Sequence, residues 1–225
     1  MFRNKYSTFL TVLLIVIIIA VVGLMTFLDI RALTRNESTQ DAISRFDENS
    51  QNTTNDTNTN ADNNDTGMGN IEGPDTSSNG NGAPKKTYYQ GFVMIGYIEI
   101  PKTSVKLPIL ETETDKSLEV SVAVMYPDNP TNKLNQPGNV VIMGHNYKDG
   151  RFFANNNKLS VGDKIYITDI TGTKLEYTIY QTFVTTPEDT SFITRNTNGA
   201  TEVTLSTCGS NSSTQRLIIE AKANT

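Results

Sequence analysis

Twenty consecutive residues, Phe9 to Leu28, carry no charge at all. At 1.5 Å per residue, a helix of that length spans the roughly 30 Å hydrocarbon core of a bilayer. Secretory leaders have shorter apolar cores, and Asp29-Ile30-Arg31-Ala32-Leu33 offers no small-x-small cleavage site. A helix packed on a soluble core would show a polar face, which this run lacks. It therefore reads as an uncleaved transmembrane anchor, and residues 1–35 as a cytoplasmic tail plus that anchor. Arg3 and Lys5 precede the span while Arg31 and Arg35 follow it, so the basic residues are nearly balanced across it. The character of the chain beyond sets the orientation, with the N-terminus inside and the rest outside.

From residue 36 to 84 the chain is dominated by Asn, Thr, Asp, Ser and Gly, broken only by apolar residues such as Ile43, Phe46, Met68 and Ile71. Such a segment buries too little surface to offset its ordering entropy and reads as a disordered linker. About 50 flexible residues reach roughly 40 Å, enough to explore the layer outside a membrane. The linker holds nine acids and one base, whereas residues 85–225 hold fourteen of each. The formal charge of −5 thus arises outside that domain, from −8 on the linker and +3 on residues 1–35. A neutral domain lacks the basic field that nucleic-acid binding requires, which excludes that partner class.

Residues 85–225 suffice for one domain with a real core. Eight strand-like runs recur between turn signals: 94–100, 106–109, 120–125, 139–143, 164–168, 174–183, 202–207 and 216–221. Pro127-Asp128-Asn129-Pro130, Gly162-Asp163, Thr171-Gly172 and Asn198-Gly199 punctuate them. Lys164 to Phe183 reads as a hairpin turning near Thr171-Gly172. Helical periodicity is confined to 150–159 and 189–194. The pattern predicts an all-β closed barrel or sandwich with one or two short helices.

The chain has one cysteine and one histidine. A lone thiol in an exported domain has no disulfide partner within the chain, so it is inert packing or a reactive group. Alternation along Val203-Thr204-Leu205-Ser206-Thr207-Cys208 sends Val203 and Leu205 one way and Thr204, Ser206 and Cys208 the other. The thiol thus lies opposite the apolar face, where a structural cysteine would sit. His145 ends Val140-Val141-Ile142-Met143-Gly144-His145, a strand apolar on both faces, and is the side chain able to titrate near neutrality. A hairpin joining Cys208 to Arg216 around residues 209–215 would bring the guanidinium beside the sulfur, given the right register. One Cys and one His are too few soft ligands for a zinc site, and no metal or cofactor is assigned.

These segments together resemble the sortase family, membrane-anchored cysteine transpeptidases of mainly Gram-positive bacteria. Thr204-Leu205-Ser206-Thr207-Cys208 is similar to the family's T-L-x-T-C signature, and Arg216 stands where its arginine falls. Gly144-His145-Asn146, after Pro137-Gly138-Asn139-Val140-Val141, resembles its histidine segment. Ile95-Gly96-Tyr97-Ile98-Glu99-Ile100-Pro101 resembles its opening strand, and the likeness covers residues 92–222. It implies an eight-stranded β-barrel that cuts a C-terminal LPxTG-like sorting signal of secreted surface proteins. A thioester acyl-enzyme then passes the acyl group to an amine of a peptidoglycan precursor or a pilin lysine. It also implies Cys208 as nucleophile, His145 as general acid/base and Arg216 as electrostatic stabiliser, with Ser206, Thr207, Gly209 and Asn146 lining the peptide groove.

His145 and Cys208 stand 63 residues apart, which leaves little room for the long helical insertion of class B sortases. No second apolar span follows the last strand, unlike many pilin-assembling class C members. What remains resembles classes A, D or E, with class D favoured. Glu188 and Asp189 alone do not make the calcium site of class A. Two rival functions stay open on sequence grounds: a cysteine peptidase that only hydrolyses the signal, and a catalytically silent binding module. An ordinary thiol is about 3% ionised at pH 7 and an ordinary imidazole about 24% protonated. A reactive Cys–His ion pair would thus be either a minority state or one enriched by mutual attraction.

Overall fold

The computed structural model describes residues 3–55, 85–125, 133–209 and 212–224. The remainder of the linker, residues 56–84, and the turn at Pro127-Asp128-Asn129-Pro130 lie outside the described residues. The chain divides into two compact units, Met1–Asp41 and Ala42–Thr225.

The first unit is the N-terminal part of helix α1 (Arg3–Asn55). Its large apolar residues from Phe9 to Ile30, and Leu33, are exposed. An 18-residue window reaches a mean hydropathy of 3.0, and none of it is buried. Among the described residues this is the one helix long and apolar enough to cross a membrane.

The last turns of α1 belong to the second unit. Composition assigns these residues to the linker, yet they continue the helix to Asn55. Ala42, Ile43 and Phe46 share one helical face at i, i+1 and i+4, and all three are buried. They pack on Tyr89, Met94, Tyr97, Leu110, Leu118 and Ala123. Phe46 meets the Tyr97 ring edge-on, at 6.1 Å between centroids. Asn49 Nδ2 donates to Thr87 Oγ1 at 2.8 Å. A few apolar residues at helical spacing thus outweigh a polar composition, because the partner surface exists only once the domain is folded.

That domain is a closed barrel. Its strands are β1 (Thr87–Tyr89), β2 (Phe92–Ile100), β3 (Val105–Leu110), β4 (Val122–Val124), β5 (Gly138–Met143), β6 (Lys164–Asp169), β7 (Lys174–Thr185), β8 (Thr201–Gly209) and β9 (Ser212–Ala223). Their order is β1-β2-β3-β4-β5-β8-β9-β7-β6, and a β2–β6 pairing closes eight of them, β2 to β9, into the barrel. The β3–β4 and β5–β8 pairs are parallel, the rest antiparallel. Closure brings β6 hard against β2 at Gly96, where a Cβ would sit 2.4 Å from the Thr168 carbonyl oxygen. Only glycine fits there.

The barrel interior is apolar, filled by Ile98, Ile100, Ile109, Val140, Ile142, Ile165, Ile167, Ile179, Val203, Leu205 and Ile219 among others. Tyr177 lies wholly inside it, and its hydroxyl donates to Asn135 Oδ1 at 2.9 Å. Burial pushes that phenol well above its usual pKa. The same Asn135 donates to the Thr173 carbonyl and the Asp169 carboxylate, tying the segment before β5 to the β6–β7 turn. Thr171-Gly172 forms that turn, with Gly172 at φ +80°.

Helix α2 (Asp115–Val120) replaces the first residue of the expected strand 120–125. Thr114 caps it through a reciprocal bond with Ser117. Six residues are too few to show a helical period. The expected helix at 150–159 is reduced to one 3₁₀ turn, Asn156–Lys158, and 189–194 forms turns only.

Phe46→Ala tests whether the end of α1 is part of the folded domain. Removing a fully buried aromatic costs about 3–5 kcal/mol. Denaturant unfolding of the full chain in detergent, followed by barrel tyrosine fluorescence, should show a loss of that size.

Candidate active site

The local strand pattern aims the key side chains. Val203 and Leu205 of β8 join the interior core, so Thr204, Ser206 and Cys208 face outward. Cys208 sits at the end of the strand, half-buried, opposite Arg216 of β9 in the antiparallel register. Arg216 Nη1 lies 3.6 Å from the sulfur and also donates to the Gln215 carbonyl at 3.2 Å. On its other side Arg216 pairs with Thr185 of β7. The Arg216 backbone is therefore held by strands on both flanks.

His145 comes to the same level by a different route. β5 and β8 run parallel with a constant offset, Thr201 against Gly138 and Ser206 against Met143, 63 residues in each case. His145 and Cys208 are separated by the same 63 residues, so both stand two positions beyond the Met143–Ser206 pair. Two bonds carry the pairing past the last rung. The Gly144 N–H donates to the Ser206 carbonyl at 3.1 Å, and Asn146 Nδ2 donates to the Cys208 carbonyl at 3.0 Å. Gly144 is obligatory for this approach, since a Cβ would lie 2.7 Å from the Phe153 ring and 2.8 Å from Val122.

The other residues expected to line a groove differ in how they are presented. Asn146 uses its amide to hold the strand end that bears the thiol. Ser206 shares the outward face with Cys208 but is buried, and its hydroxyl has no hydrogen-bond partner among the described residues. Thr207 lies on the inward side with Leu205, also buried, and its hydroxyl likewise lacks a partner there. Gly209 is half-buried and pairs with Ser212 after a register shift. Ser210 and Asn211 lie outside the described residues.

Glu188 and Asp189 follow β7, close to Arg216 in the fold. A hydrogen bond from Thr186 and the charge of Arg216 both hold the Glu188 carboxyl below its usual pKa. Asp189 accepts from the Ser191 N–H at 2.9 Å and from Thr185 Oγ1 at 2.5 Å, which lowers its carboxyl similarly. Among the described residues no three Cys, His, Asp or Glu side chains converge on a metal-sized site.

Sequence reasoning missed a charge cluster on the same outer face. Arg195, from the segment between β7 and β8, meets Glu202 of β8, Glu220 of β9 at 3.0 Å and the Tyr180 hydroxyl at 2.6 Å. It also donates to Asn139 Oδ1 at 3.0 Å and Thr204 Oγ1 at 3.2 Å. Both carboxylates are buried, with Glu202 at 8% and Glu220 at 6% exposure. Burial, with the hydrogen bond to Glu202, pushes the Tyr180 phenol well above its usual pKa. The adjoining Phe192 and Ile193 cover Val141 and Ile218, and Asn139 Nδ2 donates to both their carbonyls. The cluster pins this segment over the face that ends at Cys208. Its one sequence signal was a pair of glutamates at outward positions of otherwise apolar strands.

Comparison with known proteins bears on the family and the fold. The family model for the sortase domain matches residues 98–224. Sortase A of Bacillus anthracis is 34% identical over 116 residues, covering 51% of this chain and 52% of that protein. The chain thus spans about half the length of that curated relative. A sortase D5 transpeptidase of Clostridium perfringens superposes with a TM-score of 0.52 at 33% identity, covering 59% of this chain and 79% of the other. Clostridium perfringens sortase C, solved with the C-terminal cell wall sorting motif, gives 0.50 at 26% identity over 59% and 71%. The eight-stranded barrel and the matched domain define a sortase fold. This chain belongs to the sortase family.

Arg195→Ala leaves two buried carboxylates without a cation. Breaking one side of a buried ion pair costs about 3–5 kcal/mol. A drop of that size in unfolding free energy is expected, with Arg195→Lys recovering only part of it because a point ammonium cannot serve five acceptors at once.

Proposed function

We propose that this protein is a cysteine transpeptidase, anchored by the apolar part of α1, that cuts a C-terminal LPxTG-like sorting signal and transfers the acyl group to an amine. The observation that carries the reading is the Cys208–Arg216 pair, level in register with the chain's single histidine. The Clostridium perfringens sortase C structure with a sorting motif supports a peptide of that kind as substrate. The domain order is anchor, connecting segment and catalytic domain, with Ala42–Asn55 counted with the catalytic domain. The catalytic domain faces the cell exterior, and a peptidoglycan precursor or a pilin lysine supplies the amine. The short His145–Cys208 interval favours classes A, D or E over class B, and class D is the one proposed among them.

The steps follow from the chemistry of the three groups. The Cys208 thiolate attacks the scissile carbonyl carbon, and the carbonyl π electrons move onto oxygen. Arg216, already within reach of the sulfur, neutralises that oxyanion from a position fixed before reaction, so no reorganisation is spent. The C–N bond then breaks as the His145 imidazolium protonates the leaving amine, leaving a thioester. In the second half the incoming amine attacks the thioester and loses its proton to His145, and the thiolate departs. Substrate and acceptor never need to be bound together, which gives ping-pong kinetics.

Two variants test the roles. Cys208→Ala is expected to abolish cleavage of a labelled sorting-signal peptide while leaving the unfolding midpoint unchanged; an active alanine variant excludes the nucleophile. Arg216→Lys is expected to lower kcat by about 100-fold with KM little changed, since one planar donor is lost from the oxyanion site. Mass analysis of products with and without a small primary amine separates transfer from hydrolysis. Acid product alone in both arms would make the protein a peptidase.

A further inference from the structure

The loop that follows His145 is built to hold one ring against another. Its ends are fixed by backbone bonds: the Phe153 N–H donates to the His145 carbonyl at 3.1 Å, and Asn146 bridges to Phe152. Between these ties, Tyr147 lies against the imidazole, with ring centroids 4.9 Å apart at 52°. The opposite neighbour of Tyr147 is Phe152, at 5.7 Å. The Arg151 guanidinium sits over the Tyr147 ring at 4.1 Å and over Phe152 at 5.6 Å. Asp149 in turn fixes Arg151, accepting from its Nε at 2.6 Å and from its backbone N–H at 3.2 Å.

The backbone carries strain to make this possible. Phe152 is buried and adopts φ +54°, a left-handed conformation that an aromatic residue rarely takes. That costs of order 1 kcal/mol or more and persists only where the surroundings impose it. Here the strain turns the Phe152 ring back under Tyr147. Two side chains, Phe152 and Arg151, with Asp149 bracing the second, and one unfavourable dihedral thus converge on a ring whose contact of chemical consequence is the imidazole.

We infer that Tyr147, locked by the Arg151–Asp149 pair and Phe152, is a positioning residue that fixes the ring orientation of His145. The inference rests on the proposed role of His145 as acid and base. That imidazole must deliver a proton to one amine and accept one from another, so its angle matters in both half-reactions. A misplacement of about 1 Å can cost about 100-fold in rate without altering substrate affinity. The contact is ring against ring and does not draw on the Tyr147 hydroxyl, so phenylalanine should replace it and alanine should not.

The single histidine allows the orientation to be read directly. In the full chain in detergent micelles, the imidazole C–H resonances come from His145 alone, displaced by the ring current of Tyr147. Tyr147→Phe should keep that displacement and hold kcat within about twofold. Tyr147→Ala should move the resonances to the free-histidine position and lower kcat by about 10- to 100-fold, with KM for the peptide unchanged. Arg151→Ala should move them in the same direction by less. Unmoved resonances in Tyr147→Ala, or moved resonances with kcat within twofold, overturn the positioning role. A fully active His145→Ala enzyme would instead overturn the acid–base reading of the site, and this role with it.

Discussion

The parallel ladder between β5 and β8 is the constraint from which the site follows. Its register pairs residues 63 apart along its whole length, from Gly138–Thr201 to Met143–Ser206. A slip of one residue would turn every side chain of a strand to the other face. Cys208 would then point into the core, and Val203 and Leu205 would point out. The slip is resisted from both sides of the sheet. Val140, Ile142, Val203 and Leu205 fill the barrel, while Val141 is covered from outside by Phe192 and Ile193. Hydrophobic burial at roughly 25 cal/mol per Å² on two faces thus sets the level at which sulfur and imidazole stand.

The outer face of the same strands works by a different principle. Arg195, Glu202, Glu220, Asn139, Thr204 and Tyr180 form one hydrogen-bonded cluster away from the apolar interior. Such a cluster adds less net stability than its Coulomb energy suggests, because desolvating the ions opposes it. Its directionality is what matters, since it holds the segment after β7 over the face that ends at Cys208. Arg216 belongs to this polar side as well, held between β7 and β8 with its guanidinium turned to the sulfur. An apolar inside thus fixes where the strands are, and a polar outside fixes what covers them.

Much of the barrel was legible from period-two alternation and turn residues. Each of the eight expected runs overlaps an observed strand, and the pairing of Cys208 with Arg216 followed from an eight-residue hairpin spacing. What was not legible depends on surfaces that only the fold creates. Asn36 to Asn55 reads as polar linker, because Ala42, Ile43 and Phe46 gain meaning only against Tyr97 and Leu110. Helix α2 has no periodic signature because it is six residues long, although Thr114 and Ser117 form a reciprocal cap. Arg195 and Tyr147 sit in loops, where alternation carries no information about what a side chain will meet. Asn146, expected to line the groove, also donates its amide to the Cys208 carbonyl, a bond with no signature in the sequence. A side chain that braces a strand and one that awaits a ligand look the same in a sequence.

The central claim is that the thiol of Cys208 receives an acyl group from a sorting-signal peptide. Intact-mass measurement of the full chain after brief incubation with an LPxTG-type peptide, quenched in acid, tests it most directly. The expected result is a single adduct equal to the acyl fragment, located at Cys208 by peptide mapping and discharged by added amine. An enzyme that cleaves the peptide with no adduct on Cys208, or that carries the adduct elsewhere, would contradict it.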